Sequence, residues 1–134
     1  MAFIQLHIYS EALGMQTTVN MLLPQKNTMG EIGVNGAVNH ENYKSLYLLH
    51  GLSDDQTIWM RRTSIERYAN EYGICVIMPF GGRSFYFDQQ NGEKYYTYIP
   101  ETEEVMSLVK DNEPNIALYA DDKGLYFYKN ILKE

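Results

Sequence analysis

Two short, wholly apolar runs separated by one helix signal constrain this chain more than any other feature. Leu46-Tyr47-Leu48-Leu49 lies between Ser45 and His50-Gly51, and Ile74-Cys75-Val76-Ile77-Met78 is ended by Pro79. Such runs, closed by Gly or Pro, read as strands buried on both faces, the pattern of a parallel sheet. Between them, Thr63-Ser64-Ile65-Glu66 matches a capping box, with the Thr63 side chain serving the amide near Glu66. Ile65, Tyr68 and Ala69 form a helical stripe, and Gly73 closes the helix. Strand, helix, strand is a βαβ unit, so the two strands should be parallel. Open α/β sheets place their ligands at the C-terminal edge of such strands. Here that edge carries His50-Gly51 and, after the second strand, Phe80-Gly81-Gly82-Arg83-Ser84-Phe85-Tyr86-Phe87-Asp88.

The rest of the chain is read around this unit. Phe3 to Tyr9 and Gln16 to Leu23 read as strands joined at Gly14, an antiparallel pair ended by Pro24. His7 is a strand-face residue. Asn27 to Tyr43, with three glycines and no periodicity, reads as a surface loop in which His40 is solvated. Pro100 to Lys110 reads as a helix with acids in its first turn. Asn115 to Ala120 is a third apolar strand, Asp121-Asp122-Lys123-Gly124 a turn, and Leu125 to Lys133 a final helix. Cys75 reads as a small core residue, since an apolar setting raises a thiol's pKa and no basic partner is near in sequence. Asp54-Asp55 and Glu101, Glu103 and Glu104 invite a metal reading. Solvation and helix-dipole stabilisation explain them more simply, and no metal is expected.

The totals set outer bounds. A chain of 134 residues reads as one domain, 1–134, with a real core. A net charge of −6 argues against nucleic acid as a partner, which calls for a basic face. No apolar run reaches the length of a membrane span, and the single cysteine suits a reducing cytoplasm, the expected location. Many of the twelve tyrosines fall between Tyr86 and Tyr128, an aromatic supply for a core, a cleft or a partner surface.

HGLSDDQTIWMRRTSIERYA followed by VIMPFGGRSFYFD resembles the tributyrin esterase branch of the esterase D family, which includes S-formylglutathione hydrolases and feruloyl esterases. The opening strands fit the same family. The resemblance spans about residues 3–104, and 105–134 diverges. It implies the N-terminal half of an α/β-hydrolase: an antiparallel pair, then parallel strands with helices on the faces. It also implies carboxylesterase chemistry on short acyl esters, through a Ser-His-Asp triad and an oxyanion hole, without a cofactor. By the same resemblance, the loop of Gly51 and Leu52 forms half of the oxyanion hole and supplies one of its amides, that of Leu52. Trp59, Ser84, Phe85 and Tyr86 border the acyl pocket.

The family's nucleophile stands in a G-x-S-x-G elbow. None of the six serines has glycine at both flanking positions: Ser53 follows Gly51 but precedes Asp55, and Ser84 follows Gly82 but precedes Tyr86. His7, His40 and His50 all precede the place where the family's catalytic histidine falls. Ala120-Asp121-Asp122-Lys123-Gly124 admits three readings. It is an ordinary turn, a remnant of the later strand carrying the triad acid (an ungapped match puts Lys123 at that place), or an elbow with Asp122 as nucleophile. The expectation is therefore a chain inactive or nearly so alone. The alternatives are a non-catalytic module keeping an acyl- or glycan-sized cleft, and an unconventional hydrolase using Asp122 or a second chain. A sheet cut short exposes strand edges, so a homo-oligomer is expected.

Overall fold

The computed structural model describes residues 1–25, 32, 44–107, 114–121 and 124–129. Its elements in chain order are β1 (Ala2–Ser10), β2 (Met15–Leu23), β3 (Ser45–Leu49), α1 (Ile58–Arg62), α2 (Ile65–Tyr72), β4 (Cys75–Pro79), α3 (Tyr95–Ser107), β5 (Pro114–Asp121) and β6 (Gly124–Lys129). One six-stranded mixed sheet runs β1-β2-β4-β3-β5-β6. The opening pair is antiparallel, from Ala2 opposite Leu23 to Ser10 opposite Met15. Its tight connection is closed by the Gly14 amide on the Ser10 carbonyl at 2.9 Å, with Gly14 at φ 65°. β2 is antiparallel to β4, while β3 is parallel to both β4 and β5. The βαβ unit is as its sequence dictates.

Both faces of the central strands are covered, which is why β3 and β4 are apolar throughout rather than alternating. Tyr47, Leu49, Cys75 and Ile77 point to one face, where they pack with Val19, Met21 and the α3 residues Tyr95, Tyr98 and Ile99. Leu48, Val76 and Met78 point to the other, where Leu22, Ala69, Trp59, Met60 and Ile65 meet them. Burying a side chain such as Ile77 contributes about 1.5–3 kcal/mol. Cys75 is wholly buried in this core, and His7 stands on the open face of β1 beside the Thr18 hydroxyl, 3.3 Å away.

Three local expectations are corrected. Of the segment read as a final helix, residues 125–129 belong to the strand β6, antiparallel to β5 from Ile116 opposite Lys129 to Asp121 opposite Gly124, and residues 130–133 lie outside the described residues. Leu125-Tyr126-Phe127-Tyr128 is rich in aromatic residues that favour a pleated surface, and an adjacent strand edge supplies the partner. The capping box does not form. Ser64 is the residue before α2 and makes no side-chain cap, while Thr63 sits at the end of α1, where its hydroxyl donates to the Trp59 carbonyl. With α1 ending one residue earlier, the Thr63 oxygen reaches only the Ile65 amide, at 3.2 Å. The third helix starts at Tyr95, not Pro100, which lies inside it. Asp88 draws the start forward by accepting the Thr97 amide at 3.0 Å and the Thr97 hydroxyl at 2.6 Å. Tyr95, Tyr98 and Ile99 then supply an apolar stripe at helical spacing. Gly73 closes α2 in the left-handed region, as its sequence position implies. The loop expected over 27–43, with His40, lies outside the described residues.

Candidate active site

Parallel β3 and β4 end side by side, bringing the loop after Leu49 against the loop after Pro79. His50 joins them. Its side chain is 1% exposed. Nδ1 lies 2.7 Å from the Gly51 carbonyl, an acceptor, so Nδ1 carries the proton and Nε2 is left with its lone pair. That lone pair accepts the Gly81 amide at 2.9 Å. Phe80 stacks on the imidazole, with ring centroids 5.7 Å apart, and Tyr86 meets it edge-on at 5.9 Å. Burial holds the His50 pKa below the ordinary histidine value, against the opposing pull of its bond to Gly51 and of Asp54 and Asp55. The neutral ring is thus the form that fits.

The Gly51 carbonyl also accepts the Asp54 amide at 3.1 Å, closing a turn over 51–54. Among the described residues, the amides of Gly51 and Leu52 meet no acceptor. Leu52 is exposed. These are two neighbouring N–H groups without a partner among the described residues, on a turn fixed from behind by the His50 ring.

The acids beside this turn are engaged. Asp55 takes the Thr57 amide at 2.8 Å and the Thr57 hydroxyl at 2.5 Å, bonds that lower its pKa. Asp54 pairs with Arg62 at 3.7 Å. Each carboxylate already has a partner from the start or end of α1.

The loop after β4 is unusual in its backbone. Phe85 and Tyr86 adopt φ of 52° and 60°, a region that costs side-chain-bearing residues energy and is held only where surroundings enforce it. The Ser84 hydroxyl enforces it, donating to the Gly81 carbonyl at 2.6 Å and accepting the Tyr86 amide at 3.0 Å. The Tyr86 phenol returns to β3, donating to the His50 carbonyl at 2.9 Å. This conformation turns Phe85 outward, 53% exposed, with Phe87 exposed beside it.

The structure therefore brings together Gly51, Leu52, Ser84 and Tyr86 around His50. Phe85, on the same loop as Ser84 and Tyr86, is exposed. Trp59 is engaged differently: its indole N–H donates to the Leu49 carbonyl at 3.2 Å and its ring packs on the layer under α1 and α2. Asp122 lies outside the described residues, and the next described element is the strand β6, where a nucleophile elbow leads into a helix. Gly81 was the residue hardest to single out from sequence. Its amide fixes His50, and a Cβ there would fall 2.2 Å from the Tyr86 ring. The Gly81-Gly82 pair signalled a close approach without naming what approaches.

Residues 10–114 match an esterase family described as "Putative esterase". The chain belongs to this family. An acetyl esterase of Caldicellulosiruptor saccharolyticus is 33% identical over 96 residues, covering 72% of this chain and 35% of the relative. Among solved structures, the Staphylococcus aureus fluorophosphonate-binding serine hydrolase F, substrate bound, superposes with a TM-score of 0.71 at 34% identity. It is covered over 46% of its length, with 90% of this chain included. The apoenzyme of the S. aureus S-formylglutathione hydrolase FrmB gives 0.67 at 34% identity, with the same coverage. An S-formylglutathione hydrolase from Agrobacterium tumefaciens, 19% identical with a TM-score of 0.65, shares the fold. This esterase-family chain thus spans about half the length of these hydrolases, and its sheet is the corresponding part of an α/β-hydrolase.

Proposed function

We propose that this chain carries the oxyanion-binding side of a carboxylesterase site for short acyl esters and that, taken alone, it is inactive or nearly so. The observation behind this reading is the pair of amides at Gly51 and Leu52, unpartnered among the described residues, on a turn held by the buried His50 ring. A tetrahedral intermediate needs N–H donors where its oxyanion forms, and donors already fixed in place require no reorganisation. Leu52 and Phe85, exposed apolar side chains on the loops that follow β3 and β4, are available for contact with a short acyl group. Donors alone give only the small residual acceleration left when a nucleophile and its base are missing. The sequence holds no G-x-S-x-G, and its described histidines are committed elsewhere: His50 to Gly51 and Gly81, and His7 to the outer face of β1.

The test has two arms on the purified chain. Turnover of p-nitrophenyl acetate and butyrate is expected to stay at or close to the buffer rate. Turnover above it that disappears in Asp122→Ala or Ser84→Ala would overturn the inactivity. Titration with butyrate, whose carboxylate stands in for the oxyanion, is expected to shift the Gly51 and Leu52 amide resonances. No shift there at saturating butyrate would remove the oxyanion reading.

A further inference from the structure

We propose that Ser84 and Tyr86 are positioning residues that set the Gly51 and Leu52 amides through His50, an inference resting on the oxyanion reading of those amides. Four hydrogen bonds form a closed circuit between the ends of β3 and β4. The Gly81 amide donates to His50 Nε2 at 2.9 Å. The Ser84 hydroxyl donates to the Gly81 carbonyl at 2.6 Å. The Tyr86 amide donates to the Ser84 hydroxyl at 3.0 Å. The Tyr86 phenol donates to the His50 carbonyl at 2.9 Å and closes the circuit.

The closure explains three features that are otherwise unrelated. It uses both the donor and an acceptor site of the Ser84 hydroxyl on backbone groups. It supplies the constraint that holds Phe85 and Tyr86 at positive φ. It also gives Gly81 its reason, since the Tyr86 ring lies where a Cβ would be, 2.2 Å from Cε1. The circuit grips His50 at two points, the ring and the carbonyl. The carbonyl of His50 belongs to the peptide whose N–H is that of Gly51, so the phenol sets the plane in which the Gly51 amide points. The ring then fixes the next peptide, whose carbonyl is that of Gly51 and whose N–H is that of Leu52, through Nδ1. Both proposed oxyanion donors are therefore oriented by one bond each from this circuit. Ser84, a serine on an accessible loop, is a latch in this arrangement.

The experiment is backbone ¹⁵N relaxation on the full 134-residue chain, comparing wild type with Tyr86→Phe, Ser84→Ala and Ser84→Thr. Tyr86→Phe keeps the ring and removes the phenol bond to the His50 carbonyl. In wild type the Gly51 and Leu52 order parameters are expected near the rigid value of about 0.85, falling below about 0.6 in Tyr86→Phe and Ser84→Ala. Ser84→Thr, which keeps the hydroxyl, is expected to restore them. Residues 46–49 should not change, because a residue that merely stabilised the sheet would loosen β3 and β4 together. Unchanged order at Gly51 and Leu52, loosening spread evenly along β3, or loss of the fold in Tyr86→Phe would each overturn the proposal. The butyrate titration is separate: no shift in wild type defeats the oxyanion reading even if the circuit orders the turn as described.

Discussion

Glu101 in α3 accepts the amide of Ala12, in the turn between β1 and β2, at 2.8 Å with one carboxylate oxygen. Its other oxygen accepts the hydroxyl of Ser10, a buried residue. Ser10 in turn accepts the Leu13 amide at 3.1 Å. One carboxylate thus ties the opening hairpin to the helix that covers the same sheet face. Glu101→Ala is expected to lower stability by about 1–3 kcal/mol, because it leaves the Ala12 amide without its acceptor. Glu101→Gln should cost less, since its carbonyl still accepts one donor and the Ser10 hydroxyl can rotate to accept from the new amide. Urea unfolding of the three chains checks the order; equal losses for Ala and Gln would contradict it.

The buried His50 makes stability fall on the acid side. Its folded pKa is lowered, chiefly by burial, so the unfolded chain binds the proton more readily. The stabilisation from the neutral ring is complete above the ordinary histidine value of about 6.5 and is lost as pH falls through the lower folded value. Protonation at Nε2 also sets an N–H against the Gly81 N–H, breaking that bond. Asp55, lowered by its bonds to Thr57, acts in the same direction but only below the ordinary carboxylate value of about 3.9. The two windows are therefore separable. Urea midpoints between about pH 7.5 and 5 are expected to decline in wild type. In His50→Gln the decline should be shallower, although that variant starts less stable. Parallel slopes would show that another group is titrating.

The βαβ unit was legible because its signal is local: two apolar runs at the length of strands, with a helix stripe between them and Gly73 to end it. The Gly51-Leu52 turn, proposed above to bind an oxyanion, was singled out only through family resemblance, since nothing in His50-Gly51-Leu52 alone says where the amides point. Two readings failed because tertiary partners decided them. Leu125 to Tyr128 pairs with a neighbouring strand whose presence no local pattern announces. Thr63 follows the capping-box spelling, yet its hydroxyl is claimed by the carbonyl of Trp59 at the end of α1. The Ser84–Tyr86 circuit was invisible for the same reason: its bonds to His50 cross between strands separated by a whole helix.

β6 sets up a prediction about assembly. It ends the strand order, with β5 as its partner among the described residues. An edge strand presents unpaired backbone donors and acceptors that another chain can use. The purified chain is expected to run as a dimer or larger species, above the 15.6 kDa of one copy. Light scattering at working concentrations decides this, and a clean monomer would refute it.

The close approach of Gly81 and Tyr86 gives the sharpest mutational test. A Cβ at position 81 would lie 2.2 Å from Tyr86 Cε1 and 2.7 Å from Cζ, well inside contact distance. Gly81 itself lies outside the left-handed region, so alanine meets a packing problem there rather than a backbone one. Gly81→Ala is expected to cost about 1–3 kcal/mol through overpacking. Tyr86→Ala removes the ring and carries its own cost, from the lost phenol bond and the contact with His50. In the Tyr86→Ala background, however, the three atoms nearest the added methyl are gone and its further cost should fall. The two substitutions should therefore be strongly non-additive, with a coupling of about 1–3 kcal/mol in a double-mutant cycle read by urea unfolding. Additive losses would mean that the ring does not occupy the space over Gly81 in solution, and the circuit joining β3 to β4 would lose its closing member.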